Sequence, residues 1–237
     1  MLAYILLGGL GTRLRPLTYL TPKPLLPLAG KPFLWYQLNL LARHGVRRVI
    51  LGTGYKEENF RAVSDSFAIP GLEVEFVVER EPRGTAGALA LARKSLSKTA
   101  FVLNGDILTD LDLSAMLKEH RERRSLVTLA LYQVAYPSRY GLVDFDEAGR
   151  VSAFREKPRE IPRRAWINAG VYILEPEAVR LIPEEGNCSL EREVFPALIK
   201  SDRPVYAYRH TGYWLDIGTL HAYCQAKGDL KSGRLVP

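Results

Sequence analysis

Strand-like and helix-like segments alternate along this chain almost from end to end, and that alternation restricts its fold more than any other feature. A short apolar run over 2–7 ends in Gly8-Gly9, as a buried parallel strand does. The helical spacing of Phe33, Leu34, Leu38, Leu41 and Ala42 predicts a helix over 32–44, with Pro32 in its first turn and Gly45 as its stop. Strands over 46–51, 72–78 and 100–103 and helices over 57–67, 85–96 and 113–123 extend the series to a longer strand over 126–134. A βαβ series of this kind implies an α/β, Rossmann-like fold: a mixed, mostly parallel sheet flanked by helices. The second half is richer in strands, over 141–145, 151–156, 169–174 and 205–208, with helices over 175–181, 191–200 and 219–231. No proline- or glycine-rich linker divides the chain, so one domain over 1–237 is expected, with one lobe over about 1–135 and another over about 136–237. Ligands on such sheets bind at the carboxyl ends of strands. The motifs below all fall there.

The apolar content of 47% is enough for a sizeable core. The longest apolar runs, over 1–7 and 126–131, fall far short of the roughly 20 residues that span a bilayer. The first also lacks the basic start of a secretory signal. A soluble, cytoplasmic protein without a membrane partner is expected. Cys188 and Cys224 stand far apart with no metal-ligand spacing around them, which argues against a disulfide framework and a zinc site. The net charge of +7 is diffuse. Its densest groups, Arg121-Arg123-Arg124 and Arg163-Arg164, form no long basic arm, and no nucleic-acid-binding motif accompanies them. Nucleic acid is therefore not an expected partner, whereas part of the surplus could serve a polyphosphate.

Directly after the first strand comes Gly8-Gly9-Leu10-Gly11-Thr12-Arg13. Glycines at this density let the backbone turn sharply and approach a ligand, and their successive N–H groups form an anion nest. A dinucleotide fingerprint would need glycine where Leu14 stands, and a Walker A loop would need Gly-Lys-Ser/Thr. Leu7, Gly8, Gly9, Gly11, Thr12 and Arg13 are accordingly candidates for binding the phosphates of a nucleoside triphosphate. Further on, Pro22-Lys23-Pro24 fixes a lysine on a stiff, non-helical segment. Arg13 and Lys23 together could neutralise a triphosphate whose α-phosphorus is attacked. Taken singly, the glycines also suit a plain tight turn and Lys23 an ordinary loop lysine.

The run Gly8-Gly9-Leu10-Gly11-Thr12-Arg13-Leu14-Arg15-Pro16-Leu17-Thr18, followed by Pro22-Lys23-Pro24-Leu25, resembles the signature of the sugar nucleotidyltransferases, the NDP-sugar pyrophosphorylases. Further motifs extend the resemblance to Gly218, over nearly the whole chain. It implies the nucleotide-diphospho-sugar transferase-like fold, with a nucleotide-binding and a sugar-binding lobe. It also implies transfer of a nucleotidyl group from a nucleoside triphosphate to a sugar 1-phosphate. Mg²⁺ would be held by Asp106, in Leu103-Asn104-Gly105-Asp106, and Asp216, in Tyr213-Trp214-Leu215-Asp216-Ile217-Gly218. Arg13, Lys23 and Asp106 would be the catalytic set. Gly141, Glu156, Lys157 and Asn168 would bind the sugar phosphate. No general base is required, because a phosphate monoester's second pKa is about 6, and His44, His120, His210 and His221 lie in no recognisable catalytic motif.

The base-reading loop would be Glu79-Arg80-Glu81-Pro82-Arg83-Gly84-Thr85-Ala86-Gly87, with Glu79, Gly84 and Thr85 as nucleotide contacts. Thymidylyl- and uridylyl-transferring relatives carry glutamine where Glu79 stands. A carboxylate only accepts hydrogen bonds, and guanine presents adjacent N–H donors, so the substitution favours GTP. The loop, like Ser189-Leu190-Glu191-Arg192-Glu193-Val194-Phe195-Pro196, resembles mannose-1-phosphate and heptose-1-phosphate guanylyltransferases. Arg83 departs from an expected leucine, and Leu7 from a commoner alanine. The chain stops near residue 237, so the carboxy-terminal β-helix of longer relatives, and an allosteric or acyltransferase extension, are not expected. Two alternatives stand beside this reading: thymidylyl or uridylyl transfer to glucose 1-phosphate, and a non-catalytic regulatory module. A homo-oligomer is left open.

Overall fold

The computed structural model describes residues 1–9, 11–54, 57–156 and 162–236. The fold class is the expected one, a mixed, mostly parallel sheet flanked by helices. The chain forms two compact units that interleave in sequence. The first comprises Met1–Pro82, Leu103–Asp112 and Gly212–Pro237; the second comprises Arg83–Val102 and Leu113–Thr211.

In the first unit, strands Leu2–Leu6, Arg48–Thr53 and Glu73–Val78 are parallel, with Leu2 opposite Arg48 and Arg48 opposite Glu73. Arg48–Thr53 lies between the other two, and its side chains are buried without alternation, as in a parallel strand covered on both faces. Helix Phe33–Arg43 turns Phe33, Leu34, Leu38 and Leu41 inward, each contributing about 1.5–3 kcal/mol by burial. It ends in a Schellman motif. Gly45, at φ 79°, donates to Ala42 O (3.1 Å), and Val46 donates to Leu41 O (3.0 Å). One apolar cluster joins Leu14, Leu28, Phe33 and Tyr36 to Tyr213, Ile217, Tyr223 and Ala226, and so ties the loop after the first strand to the last helix, Leu220–Lys231.

The second unit is built mainly on antiparallel pairs. Gly141–Phe145 pairs with Val151–Glu156, and Val127–Ala135 pairs with Arg164–Leu174, while Val205–His210 lies parallel to Val127–Ala135. The strand expected over 169–174 begins at Arg164 and bulges between Asn168 and Tyr172. The helix expected over 85–96 is regular only over Gly84–Leu91. The one expected over 191–200 divides into a π-helical turn, Leu190–Val194, and an α-helix, Phe195–Lys200. Pro196 explains the division: it has no N–H for the carbonyl four residues back, and its ring crowds that carbonyl.

Within this unit His120 is buried, with Nδ1 2.7 Å from Thr128 Oγ1 and Nε2 3.1 Å from Glu175 Oε1. Burial pushes its pKa below the ordinary imidazole value, Glu175 opposes the shift, and Arg121 adds to it. The folded state thus favours the neutral ring. Stability from this residue is present above the ordinary pKa of 6.5 and is lost as pH falls through the lowered folded value. The urea midpoint of the wild type is expected to fall between about pH 7 and pH 5, and His120→Gln to flatten that fall. Equal slopes in the two proteins would remove His120 as the cause.

Candidate active site

The first strand delivers Gly8 and Gly9 to the surface, and the chain then turns at Gly11. Gly11 has φ 61°, a left-handed conformation that disfavours other residues, and a Cβ there would lie 3.1 Å from Thr18 Cγ2 and 3.3 Å from Lys23 Cβ. Thr18 Oγ1 donates to Gly11 O at 2.8 Å. The turn passes into the 3₁₀ turn Thr12–Leu14, which anchors Leu14 in the apolar cluster and leaves Thr12 and Arg13 exposed. Leu7 differs from its neighbours in the loop. Its side chain is buried against Gly105, and its N–H bonds Gly52 O at 2.8 Å.

Lys23 begins another 3₁₀ turn, Lys23–Leu25, and is 8% exposed, which excludes an ordinary loop lysine. Its ammonium donates to Asp106 Oδ2 at 2.8 Å and lies 3.9 Å from Asp216 Oδ1. Asp106 stands in the turn just before strand Ile107–Thr109, and Asp216 ends strand Trp214–Asp216, which pairs antiparallel with it in one small ladder. Ile217 N donates to Asp106 O at 3.0 Å, closing the end of that ladder. Thr109 Oγ1 donates to Tyr213 O (2.8 Å), and Tyr213 N donates to Asp110 Oδ1 (2.7 Å), which fixes its register. Gly105 lets the turn cross the first strand: a Cβ there would lie 2.5 Å from Leu6 O.

Burial first, and the charge of Asp106 second, push the Asp216 pKa above the usual carboxylate range. Lys23, the Gly218 N–H and Arg13 pull it back down. Gly218 N donates to Asp216 Oδ1 at 2.7 Å, and the Arg13 guanidinium packs on Gly218, so that a Cβ there would lie 2.7 Å from Arg13 Nη2. Arg13, Lys23, Asp106 and Asp216 are therefore brought together. Two carboxylates close enough to repel one another, held by a lysine and an arginine, suit a divalent cation that takes one or two carboxylates plus phosphate oxygens. Among the described residues no group of three or more His, Cys, Asp or Glu side chains gathers as a denser metal cluster.

Gln37 is a further residue of this arrangement. It is 2% exposed, and its Nε2 donates to Asn104 O (2.8 Å) and Ile107 O (3.1 Å), at both ends of the turn that presents Asp106. A polar residue on the stripe of Phe33, Leu34, Leu38 and Leu41 was the sequence signal for it. Glu79 follows strand Glu73–Val78, its N–H bonded to Thr53 O at 2.7 Å. Its carboxylate lies against Gly8, where a Cβ would be 2.7 Å from Oε2. Gly8 and Glu79 thus meet at the carboxyl ends of two parallel strands that flank Arg48–Thr53.

In the second unit, Gly84 (φ 72°) and Thr85 open helix Gly84–Leu91 and are clamped to the segment before the π-turn. Cys188 O accepts from Ala86 N (2.9 Å) and Gly87 N (3.2 Å), and Cys188 N donates to Arg83 O (2.8 Å). Thr85 Oγ1 donates to Glu191 Oε2 (2.7 Å) and accepts from Leu190 N (2.9 Å). Gly141 is opposite Glu156 in its hairpin, and the Glu156 carboxylate lies across it: a Cβ on Gly141 would be 2.7 Å from Oε2. Asn168 sits at the bulge, where its Oδ1 accepts from Gly170 N (3.0 Å) and its Nδ2 donates to Tyr172 Oη (2.7 Å). Lys157 lies outside the described residues.

The nucleotidyl transferase family model matches residues 2–233. The chain is 45% identical over 233 residues to a mannose-1-phosphate guanylyltransferase of Mycobacterium tuberculosis, covering 98% of this chain and 65% of that relative. It is 43% identical to a mannose-1-phosphate guanylyltransferase catalytic subunit beta of Drosophila pseudoobscura pseudoobscura, covering 91% of this chain and 58% of that relative. It thus spans about three-fifths of the length of these curated relatives. The crystal structure of HddC from Yersinia pseudotuberculosis is 30% identical, with a TM-score of 0.83, over 97% of this chain and 99% of that one. The same protein complexed with GMP-PN matches with a TM-score of 0.81 at 31% identity, over 97% of this chain and 99% of that one. With the family model covering nearly all of its length, the chain belongs to the nucleotidyl transferase family.

Proposed function

We propose that this chain transfers a guanylyl group from GTP to mannose 1-phosphate or heptose 1-phosphate, releasing pyrophosphate. The observation that carries this reading is Lys23, buried between Asp106 and Asp216 beside the turn that bears Arg13. The names of the relatives and the GMP-PN complex of HddC support guanine as the base, and Glu79 offers the acceptor that guanine's donors require.

In the proposed reaction a phosphate oxygen of the sugar 1-phosphate attacks the α-phosphorus of GTP. The new P–O bond forms as the bond to the bridging α–β oxygen breaks, and pyrophosphate leaves with that electron pair. Because the nucleophile is already ionised at neutral pH, the chain has no proton to abstract. Gly8, Gly9 and Gly11 would bring backbone N–H groups to the triphosphate, and Arg13 and Lys23 would offset the charge that builds on it. Asp106 and Asp216 would hold Mg²⁺, which when bound supplies positive charge to the phosphate oxygens. Gly141, Glu156, Lys157 and Asn168 are the proposed contacts of the sugar phosphate. Such substrates suit a cytoplasmic protein.

Pyrophosphate release should be measured with ATP, GTP, CTP, UTP and dTTP against mannose, heptose and glucose 1-phosphates, with and without Mg²⁺. Release is expected with GTP and mannose or heptose 1-phosphate, and only with Mg²⁺ present. A preference for dTTP or UTP with glucose 1-phosphate would overturn the reading of Glu79. Silence across all combinations would overturn the enzyme and favour a binding module.

A further inference from the structure

Glu191 lies at the centre of a hydrogen-bond relay within the second unit. Its Oε2 accepts from Thr85 Oγ1 (2.7 Å) and from Ser189 Oγ (2.9 Å), and its Oε1 accepts from Tyr172 Oη (3.1 Å). Tyr172 Oη accepts in turn from Asn168 Nδ2 (2.7 Å), and Asn168 Oδ1 accepts from Gly170 N (3.0 Å). Every hydroxyl proton points toward the carboxylate, and backbone N–H groups feed the chain from behind: Leu190 N to Thr85 Oγ1 and Arg192 N to Ser189 Oγ. The polarity is therefore uniform from Gly170 and from Leu190 inward to Glu191. Bonds in such a series strengthen one another.

Two features set this apart from incidental packing. Tyr172 is fully buried, so its hydroxyl depends on these partners. Glu191 also sits in the π-helical turn Leu190–Val194, a rare geometry that is frequent at functional sites. We infer that Glu191 is a positioning residue that couples the nucleotide loop at Thr85 to the sugar-phosphate strand at Asn168, so that each end holds the other in its binding geometry. The inference rests on the proposed guanylyl transfer and on the binding roles proposed for the two ends.

Glu191→Gln tests it, because the amide keeps the carboxylate's shape but turns one acceptor into a donor facing hydroxyl protons. The expected result is a rise of about fivefold to tenfold in KM for both GTP and the sugar 1-phosphate, with kcat changed less. Thr85→Val and Tyr172→Phe each delete one hydroxyl. Thr85→Val is expected to raise the sugar 1-phosphate KM, and Tyr172→Phe the GTP KM. Their combined effect should be less than the product of the single effects in the wild-type background and equal to it in the Glu191→Gln background. These two variants carry the same test where Glu191→Gln lowers the melting temperature. A variant that melts lower yet binds both substrates normally would overturn the coupling, as would multiplicative effects in the wild-type background. A wild-type chain silent with every substrate pair would instead remove the guanylyl transfer on which the inference rests.

Discussion

Lys23→Met is expected to lower turnover by about a hundredfold to a thousandfold, the scale of losing a preorganised positive donor at a phosphoryl centre. The lysine is held by the Pro22–Pro24 frame and by burial, and its ammonium already lies 2.8 Å from Asp106 and 3.9 Å from Asp216. Methionine fills a similar volume without the charge. The fold should survive, because the Asp106 side chain is 30% exposed and Asp216 can take up a proton. The sign of the accompanying pH effect follows from Asp216, whose pKa is raised by burial and by Asp106 and lowered by Lys23. Loss of Lys23 raises it further. Stability linked to the protonated form is present below the ordinary carboxylate pKa and is lost as pH rises through the raised folded value. The variant should therefore melt closer to wild type in acid than at neutral pH. Steady-state turnover and melting curves over that range check both parts, and near-normal turnover would remove Lys23 from catalysis.

Glu79→Gln is expected to reduce kcat/KM for GTP by about a hundredfold, the cost of exchanging a charged acceptor for an amide opposite guanine's adjacent N–H donors. The amide keeps the packing against Gly8, so the turn after the first strand should not move. It also gains the donor that a pyrimidine edge uses, so turnover of UTP or dTTP should rise relative to GTP. The kcat/KM values for GTP, UTP and dTTP decide the matter. An unchanged preference for GTP would mean that Glu79 does not read the base.

Elements whose signal is local were legible in the sequence. The strand at Leu2–Leu6, the helix at Phe33–Arg43 with Gly45 as its stop, and the hairpin strands Gly141–Phe145 and Val151–Glu156 need only their own patterns. The ladder of Ile107–Thr109 with Trp214–Asp216 was not legible, because each strand is three residues long and its partner lies over a hundred positions away. That ladder brings Asp106 and Asp216 onto one lysine, so the resemblance named the carboxylates and only the fold explains their meeting. The sequence pattern starts a strand at Ala169, whereas the strand runs from Arg164 and a bulge carries it through Asn168-Ala169-Gly170. The Asn168 side chain supports that bulge from within. The partners of Gln37 and Glu191 escaped for a related reason: they are backbone and hydroxyl groups that no spacing rule connects.

The interleaving of the first unit bears on the order in which the protein can be completed during synthesis. Leu14, Leu28 and Phe33 are made early, yet their apolar cover of Tyr213, Ile217, Tyr223 and Ala226 is made only after the second unit. Domains commonly fold as they emerge, amino end first. Here the opening segment must wait with its apolar face unshielded while the whole second unit is translated. Asp216 likewise is made only after the second unit, so a ribosome stalled before residue 212 would hold a chain whose second unit is fully translated and whose charged centre is not yet assembled.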